Sequence, residues 1–274
     1  MSAAEEFTDF GSFSEVDATP DAAPFIGALD DIAALPAVQR LRATANELLA
    51  IRLGHRLVDV GCGTGDQVRA LAAAVGPTGS VIGVDPSELL LAEARRRTGW
   101  RAGPVEFRLG DATHLDLDDA SVDGARCERV FQHLVDPPAA MAELVRVTRP
   151  GGRIVVVDTD WGMHAVHGAD PALTDRVLAA WLEEPPNARA GRRLPELFAA
   201  HGMPQPVVVA ETFATTDPLR PTLSPFPMLA DLAARTGAVT ADEAARWLAE
   251  LAEAGREDRF FWAFTMFAVA ATRP

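Results

Sequence analysis

Between residues 56 and 158, short runs of β-branched residues alternate with stretches rich in alanine, leucine and arginine. The apolar runs predict strands at residues 56–60, 80–85, 105–109, 123–127 and 153–158. Leucines and alanines at helical spacing predict helices at residues 66–75, 87–97 and 137–147. Alternation of strand and helix at this spacing implies a parallel sheet covered on both faces, and therefore an α/β fold.

The pattern changes after the fifth predicted strand. A helix is expected at residues 192–201, a strand at 206–212 and a long final strand at 260–272. Two insertions, 161–190 and 217–257, leave the sheet near the carboxyl ends of its strands, where open α/β sheets bind ligands. We therefore expect either lids over a pocket or ordinary surface helices there.

The first strand leads into a glycine-rich turn, Gly61-Cys-Gly63-Thr-Gly65. Glycines at alternate positions let the backbone turn sharply and approach a ligand without Cβ collisions. The dinucleotide fingerprint would need a glycine at position 66, where this sequence has Asp66. The turn therefore favours a ligand that lacks a pyrophosphate.

The ends of the next strands carry residues suited to a nucleoside. Asp85 ends the second strand, where a carboxylate can hold a pair of ribose hydroxyls. Asp111 follows the third strand beside the small Ala112, and its carboxylate can accept a hydrogen bond from an adenine amino group. The fourth strand runs into Arg129, and an Arg-Pro-Gly-Gly turn at residues 149–152 precedes the fifth.

This ordered series of motifs resembles the class I S-adenosylmethionine-dependent methyltransferases, and is most similar to the small-molecule enzymes of the ubiquinone and menaquinone type. The resemblance covers about residues 40–215. It implies a Rossmann-like seven-stranded methyltransferase sheet with helices on both faces. The chain would form a single domain with these parts: an N-terminal cap at 1–50, a cofactor-binding core at 51–160, and lid-like helical insertions at 161–190 and 217–257.

The same resemblance implies S-adenosyl-L-methionine as the cofactor and assigns residues to it. The residues around its methionine part would be Asp59, Gly61, Cys62, Gly63, Thr64 and Gly65. Asp85 would bind the ribose with Pro86 near the adenine, and Asp111 and Ala112 would bracket the adenine ring. Arg129 lies where this family contacts the amino-acid end of the cofactor. Asp59 has an alternative role, which is to tie the amides of the turn together.

Histidine is the candidate base, because its pKa lies near neutrality and a hydroxyl nucleophile profits from proton removal. His133 follows the fourth strand at the edge where the cofactor methyl should point. His164 and His167 follow the fifth strand and are the other candidates, with exposed loop residues as the alternative interpretation. These two histidines, with Asp158 and Asp160, match no dedicated metal motif, so no metal is expected.

Composition excludes several other mechanisms. The 274 residues include no tyrosine and no lysine, which removes Schiff-base lysines, lysine-dependent P-loops and the Tyr–Lys pair of short-chain dehydrogenases. A net charge of −14 disfavours nucleic acid as a partner. A soluble cytoplasmic protein is predicted for three reasons. The chain has only two cysteines, its acidic N-terminus has no apolar signal core, and no apolar run is long enough to span a bilayer.

The predicted function is transfer of a methyl group to an oxygen or carbon atom of a small, largely apolar metabolite. The arginine-rich, lysine-free composition suggests natural-product biosynthesis as the setting. Ten aromatic residues are expected around the mouth of the acceptor pocket, with filling of the core as the alternative for most of them: Phe7, Phe10, Phe13, Phe25, Trp161, Trp181, Phe226, Trp247, Phe260 and Trp262. The main alternative is a cofactor-binding cyclase or rearrangement enzyme on the same fold, without net methyl transfer. A non-catalytic cofactor-binding protein and a nicotinamide oxidoreductase are further alternatives.

Overall fold

The computed structural model describes residues 16–18, 22–99, 105–217 and 225–274. The strands are β1 (Arg56–Val60), β2 (Ser80–Asp85), β3 (Val105–Leu109), β4 (Val122–Glu128), β5 (Thr148–His167), β6 (Val207–Thr215) and β7 (Phe261–Thr272). They form one seven-stranded sheet in the order β3-β2-β1-β4-β5-β7-β6. The predicted α/β fold with a Rossmann-like sheet is confirmed. The sheet is parallel from β3 to β5 and mixed beyond, because β7 runs antiparallel to both of its neighbours.

The helices are α1 (Ala23–Ala33), α2 (Pro36–Leu48), α3 (Asp66–Val75), α4 (Glu88–Thr98), α5 (Pro137–Val147), α6 (Pro171–Trp181), α7 (Ala190–Ala200), α8 (Phe226–Arg235) and α9 (Ala241–Arg256). The side chain of Ser87 caps α4 by accepting a hydrogen bond from the backbone N–H of Leu90 at 3.1 Å. Asp136 caps α5 in the same way, with Pro137 in its first turn. Within the described ranges, no helix is both long and apolar enough to cross a membrane.

Successive side chains of the central strands point into two different cores. Val58 and Val60 of β1 lie in the core that α5 and α7 cover, whereas Leu57 lies in the core that α2 and α3 cover. Val155 and Val156 of β5 alternate in the same way. This period of two is the ordinary geometry of a strand, and it explains why the central strands are apolar on both faces.

β5 extends beyond the predicted strand at residues 153–158. It passes a bulge between Asp160 and Ala165 and continues to His167, paired with β7. The interpretation of His164 and His167 as loop residues is therefore wrong, because pairing with β7 holds this segment in the sheet. Helices α6, α8 and α9 pack against one another beside this extension, so both insertions contribute to one helical layer.

The described N-terminal residues contact both ends of α4. The carboxylate of Asp17 accepts hydrogen bonds from Ser87 Oγ at 2.5 Å and from the backbone N–H of Glu88 at 2.8 Å. Asp30 of α1 pairs with Arg97 of α4 at 2.6 Å. These contacts hold α1 beside the carboxyl end of β2. Of the predicted pocket aromatics, Phe7, Phe10 and Phe13 lie outside the described residues. The other seven fill the buried cores instead of a pocket mouth: Phe25, Trp161, Trp181, Phe226, Trp247, Phe260 and Trp262.

Candidate functional site

A cavity of about 480 Å³ lies at the carboxyl ends of the central strands. Its wall consists of the turn after β1, the ends of β2 and β4, the start of the β3–β4 connection and the segment from Glu128 to Asp136. Leu29 of α1 and Arg42 of α2 also line it, as do Asp66 and Gln67 of α3 and Leu90 of α4. This volume is in the range of small-molecule sites. The carboxyl edge is where a parallel sheet places its ligand, because loops from several strands converge there.

The turn after β1 adopts a left-handed backbone at Gly61 (φ +73°), Gly63 (φ +51°) and Gly65 (φ +76°). A Cβ at Gly61 would lie 2.1 Å from Cγ2 of Val130, so only glycine lets the turn pack against the segment after β4. The backbone N–H groups of Gly61 and Cys62 donate to the carbonyl of Val84 at 2.7 and 3.0 Å. The turn is therefore fastened to the end of β2.

Asp85 ties the turn to the N-terminus of α4. Its carboxylate accepts hydrogen bonds from the backbone N–H of Gly63 at 2.7 Å and of Ser87 at 3.0 Å. Burial raises the pKa of Asp85 to about 6, although these two hydrogen bonds act in the opposite direction. The carboxylate lines the cavity and keeps lone pairs beyond those two bonds.

The outer end of the cavity is formed by Pro86, Asp111 and Ala112. One carboxylate oxygen of Asp111 accepts hydrogen bonds from the backbone N–H of Thr113 at 2.6 Å and from its hydroxyl at 2.5 Å. Both hydrogen bonds end on Oδ1 of Asp111, and Oδ2 takes part in neither of them. Ala112 is buried against this end, so a small apolar side chain stands next to a carboxylate.

An ion network lies beneath the glycine turn. Arg126 of β4 is buried in the sheet, and its guanidinium lies 3.1 Å from the carboxylate of Asp59 and also bonds to Glu128. Arg42 of α2 reaches Glu128 at 2.8 Å. Burial by itself would raise the pKa of Glu128, but Arg126, Arg42 and Arg129 outweigh it and hold that pKa well below its usual range. The floor of the cavity is thus charged, but internally paired.

Arg129 follows β4 in a left-handed conformation with φ +56°, which is uncommon for a residue with a side chain. Its backbone N–H donates to the carbonyl of Val157 at 2.7 Å, which fixes this conformation against β5. Its Nε is buried without a hydrogen-bond partner among the described residues, and Glu128 lies 3.8 Å away. A buried donor of this kind on a cavity wall is suited to an anionic group.

His133 lines the cavity in a 3₁₀ turn at Phe131–His133. Its Nε2 lies 3.1 Å from Nε2 of Gln132, and the Gln132 Oε1 accepts a 2.7 Å hydrogen bond from the indole N–H of Trp161. Burial, assisted by the positive charge of Arg129, lowers the pKa of His133 to about 4. The imidazole is therefore neutral at physiological pH.

His164 and His167 lie outside the wall of this cavity. The ring of His164 stands edge-on to Trp161, Trp262 and Phe264, with centroid distances of 5.1, 6.0 and 5.9 Å. Burial lowers its pKa to about 4. His167 is exposed at the end of β5. Across the described ranges, the acidic, histidine and cysteine side chains form no group of three or more that could hold a metal ion.

The structure brings most of the predicted site residues to one cavity. The predicted residues on its wall are Asp59, Gly61, Cys62, Gly63, Thr64, Asp85, Pro86, Asp111, Ala112, Arg129 and His133. Gly65 is not on this wall but is the N-cap of α3, where a Cβ would lie 2.9 Å from the ring of Phe107. Sequence reasoning did not identify Arg42, Arg126 or Gln132. The available signal was Arg126, a charged residue in the middle of a run that otherwise predicts a buried strand.

Comparisons with known proteins agree with this geometry. Residues 58–156 match the family model described as a methyltransferase domain. An uncharacterized 37.1 kDa protein in transposon Tn4556 of Streptomyces fradiae is 35% identical over 263 residues, covering 93% of this chain and 72% of that protein. Demethylmenaquinone methyltransferase of Staphylococcus aureus is 38% identical over 111 residues, covering 40% of this chain and 46% of that enzyme.

Solved structures show the same fold at low sequence identity. A Bacillus halodurans protein with an inferred methyltransferase activity superposes with a TM-score of 0.56 at 19% identity, covering 85% of this chain and 98% of that one. The 4+2 cyclase SpnF superposes with a TM-score of 0.51 at 23% identity, covering 86% of this chain and 82% of that one. Identities this low establish the architecture and leave the reaction to be argued from the site.

Proposed function

The chain belongs to the class I S-adenosylmethionine-dependent methyltransferases, and from this premise we propose that it methylates an oxygen or carbon atom of a small, largely apolar metabolite. S-adenosyl-L-methionine is the cofactor of this family and of this enzyme. The observation that carries the proposal is that the glycine turn, Asp85, Asp111 and His133 line one cavity.

The residues of the cavity fit the cofactor in charge and shape. We assign its ribose to Asp85, whose remaining lone pairs can accept from hydroxyls, and its adenine to Asp111 and Ala112. The buried Nε of Arg129 gives the carboxylate of the methionine part a charged donor that has no other hydrogen-bond partner among the described residues. The close approach of Gly61 to Val130 packs the glycine turn against the residue that follows Arg129.

Bound S-adenosylmethionine supplies a methyl group already activated on a sulfonium. What this chain must add is alignment of the acceptor atom and exclusion of water, and positioning of reactants can contribute about 7–11 kcal/mol. Leu134 and Val135 give the cavity apolar wall next to His133. We place the acceptor at this end, because His133 is the one candidate histidine whose side chain lines the cavity. The base roles predicted for His164 and His167 remain predictions.

A second cavity of about 510 Å³ adjoins the first. Val135 and Asp136 line both cavities, and Phe131, Leu194 and Leu197 give the second one apolar walls. We propose that the acceptor reaches His133 through this cavity, and the apolar walls favour an apolar acceptor. The insertion at 161–190 borders it only through its last residues, so the predicted lid role remains a prediction.

The acceptor is proposed to be a small molecule, because a net charge of −14 opposes contact with phosphate backbones. We include natural-product biosynthesis in the proposal. Its support is the alanine- and arginine-rich, lysine-free composition, which is typical of bacteria with GC-rich genomes and many tailoring enzymes.

The test is a turnover assay with the full chain, S-adenosylmethionine and a panel of phenols, quinols and polyketide-like hydroxyl compounds. The expected result is release of S-adenosylhomocysteine together with a product heavier by one methylene unit. An isomeric product of unchanged mass would instead establish the cyclase alternative. Binding of nicotinamide dinucleotide without binding of S-adenosylhomocysteine would contradict the assignment of the cavity. The Asp85→Ala variant is the control for cofactor-dependent turnover.

A further inference from the structure

The amide of Gln132 connects the cavity to the aromatic residues behind it. Its Nε2 lies 3.1 Å from His133 Nε2 and 3.4 Å from the backbone carbonyl of Arg129. Its Oε1 lies 2.7 Å from the indole nitrogen of Trp161. The backbone of Gln132 is held as well, since its N–H donates to Asp158 at 3.2 Å and its carbonyl accepts from Asn187 at 3.1 Å. The amide is therefore fixed from several sides.

The orientation of this amide follows from the donors around it. An indole N–H can only donate, so the group of Gln132 that faces Trp161 must be the carbonyl oxygen. The NH₂ group then faces His133 and the carbonyl of Arg129, and that carbonyl can only accept. If the amide were turned over, its NH₂ group would face the indole N–H of Trp161, and its oxygen would face the carbonyl oxygen of Arg129. Neither pair could form a hydrogen bond. Only one orientation satisfies both contacts.

That orientation determines the proton position on His133. The NH₂ of Gln132 is a donor, so the Nε2 atom 3.1 Å away must carry a lone pair. In a neutral imidazole the proton is then on Nδ1. An imidazolium would place an Nε2–H against the NH₂ group and lose the hydrogen bond.

We propose that Gln132 and Trp161 are positioning residues that hold His133 as a neutral imidazole protonated on Nδ1, with its Nε2 lone pair already engaged. In this state Nε2 cannot remove a proton from an acceptor unless the bond to Gln132 breaks. This favours acceptors whose methylated atom needs no proton removal by Nε2 of His133. The consequence for the acceptor rests on the proposed function, whereas the assignment of the proton to Nδ1 of His133 is independent of it.

The surroundings of His133 support the neutral form. Two charged groups bear on this segment: the charge of Arg129 acts on His133, and the carboxyl group of Asp158 accepts a hydrogen bond from the backbone N–H of Gln132. Burial and the charge of Arg129 lower the pKa of His133 to about 4. Burial raises the pKa of Asp158 to about 7, so this carboxyl group gives an imidazolium little compensation near neutral pH. Both effects oppose protonation of His133.

The test is ¹⁵N–¹H correlation of the histidine rings in the full chain, with and without S-adenosylhomocysteine. The chain has 6 histidines, and the His133→Ala spectrum identifies the signal of His133 by its loss. We expect a protonated Nδ1 and an unprotonated Nε2 in the wild type at pH 7. A wild-type signal with the proton on Nε2 would overturn the proposal.

Two variants test the positioning residues separately. Trp161→Phe keeps an aromatic ring and removes the indole N–H, which leaves only the 3.4 Å contact with the carbonyl of Arg129 to orient the amide. A fraction of the molecules should then have the amide turned over and the His133 proton on Nε2. Gln132→Glu replaces the donor by a carboxylate, which should draw a proton to Nε2 even if Trp161→Phe does not fold. Trp181→Phe is the matched control, because Trp181 packs edge-on against Trp161 at 5.6 Å and the Trp161–Gln132 bond is kept. A signal unchanged in both test variants would contradict the proposal.

Binding of S-adenosylhomocysteine, measured by calorimetry on the same samples, separates this proposal from the proposed function. If the wild type does not bind S-adenosylhomocysteine, the proposed function is contradicted, but the result on the tautomer of His133 still holds. Normal binding with the wrong tautomer would contradict only the roles of Gln132 and Trp161.

Discussion

The guanidinium of Arg126 lies 3.1 Å from the carboxylate of Asp59, and both side chains are buried in the middle of the sheet. β4 and β1 are neighbours with Asp59 directly opposite Arg126 in the register, so the pair bridges two central strands. Arg126 also bonds to Glu128 at the end of its own strand. Removing Arg126 would therefore take the ion-pair partner from Asp59, whereas Glu128 would keep its pair with Arg42 at 2.8 Å.

Replacing Arg126 by methionine should destabilise the protein severely. The substitution leaves Asp59 and Glu128 buried without this partner, and breaking one side of a buried ion pair typically costs about 3–5 kcal/mol. The free energy of unfolding, from urea denaturation followed by circular dichroism, measures the loss. Adding Asp59→Asn to Arg126→Met should recover part of it, because the carboxylate that lost its ion-pair partner is then gone, while Glu128 keeps Arg42.

A surface ion pair provides the control for this experiment. Arg176 pairs with Glu243 at 2.7 Å and is 46% exposed. Arg176→Met should change the free energy of unfolding by less than about 1 kcal/mol, because solvent screens exposed pairs. Equal losses for Arg126→Met and Arg176→Met would show that the buried network does not support the sheet.

A methyl group at Gly61 should damage the glycine turn by collision as well as by backbone strain. The new Cβ would lie 2.1 Å from Cγ2 of Val130, at a backbone φ of +73°. We expect Gly61→Ala to weaken binding of S-adenosylhomocysteine by at least tenfold, corresponding to about 1.4 kcal/mol. Gly99→Ala is the matched control, because its φ is +66° but nothing lies within 4 Å of the new Cβ.

The collision can be separated from the strain by a second substitution. Val130→Ala removes Cγ2 and leaves the Val130 Cβ, which is 3.5 Å from the new methyl group. The Gly61→Ala and Val130→Ala double variant should therefore bind better than Gly61→Ala alone. If Val130→Ala brings no recovery, packing against Val130 is not the reason that position 61 is glycine.

Much of this site was predictable because each element carries its own signal. Ser87 and Pro137 indicate helix starts from the local sequence alone. The carboxyl ends of parallel strands meet at one edge of the sheet, and this does not depend on the other parts of the chain. The extension of β5 to His167 was not predictable, because its pairing partner β7 lies far along the chain. Arg126 was hidden for a similar reason, since one of its carboxylate partners belongs to another strand. The role of Gln132 depends on hydrogen-bond geometry, which no sequence pattern reports.

Affinity for the cofactor product should depend on pH through Asp85. Burial raises the pKa of Asp85 to about 6. Ribose hydroxyls donate best to the ionised carboxylate, so binding favours loss of the proton. Affinity for S-adenosylhomocysteine should therefore fall as pH drops below about 6, by no more than about tenfold per pH unit. Calorimetry in two buffers of different ionisation enthalpy should also detect proton release near pH 6.

Two variants distinguish Asp85 from the other carboxyl group that titrates nearby. Asp85→Asn should bind more weakly at pH 7 and lose the pH dependence. Asp158→Asn should keep it, although burial raises the pKa of Asp158 to about 7. The same affinity of the wild type at pH 7 and pH 5 would remove the ribose assignment from Asp85.

Replacing His164 by phenylalanine should stabilise the protein, and more so in acid. Both ring nitrogens of His164 are shielded from solvent without a hydrogen-bond partner in the part of the chain that the structure describes. Leaving such a group unsatisfied costs about 1–3 kcal/mol, whereas Phe fits among Trp161, Trp262 and Phe264 without that cost. The stability gain should also depend on pH.

Burial lowers the pKa of His164 from 6.5 to about 4 in the folded state, so between pH 6.5 and about pH 4 the unfolded state binds more protons than the folded state. The free energy of unfolding of the wild type therefore decreases as pH falls through this range, and that of His164→Phe should decrease less. Urea denaturation at pH 7 and pH 5 measures both effects; a variant less stable than the wild type at pH 7, or an equal loss toward pH 5, would contradict them.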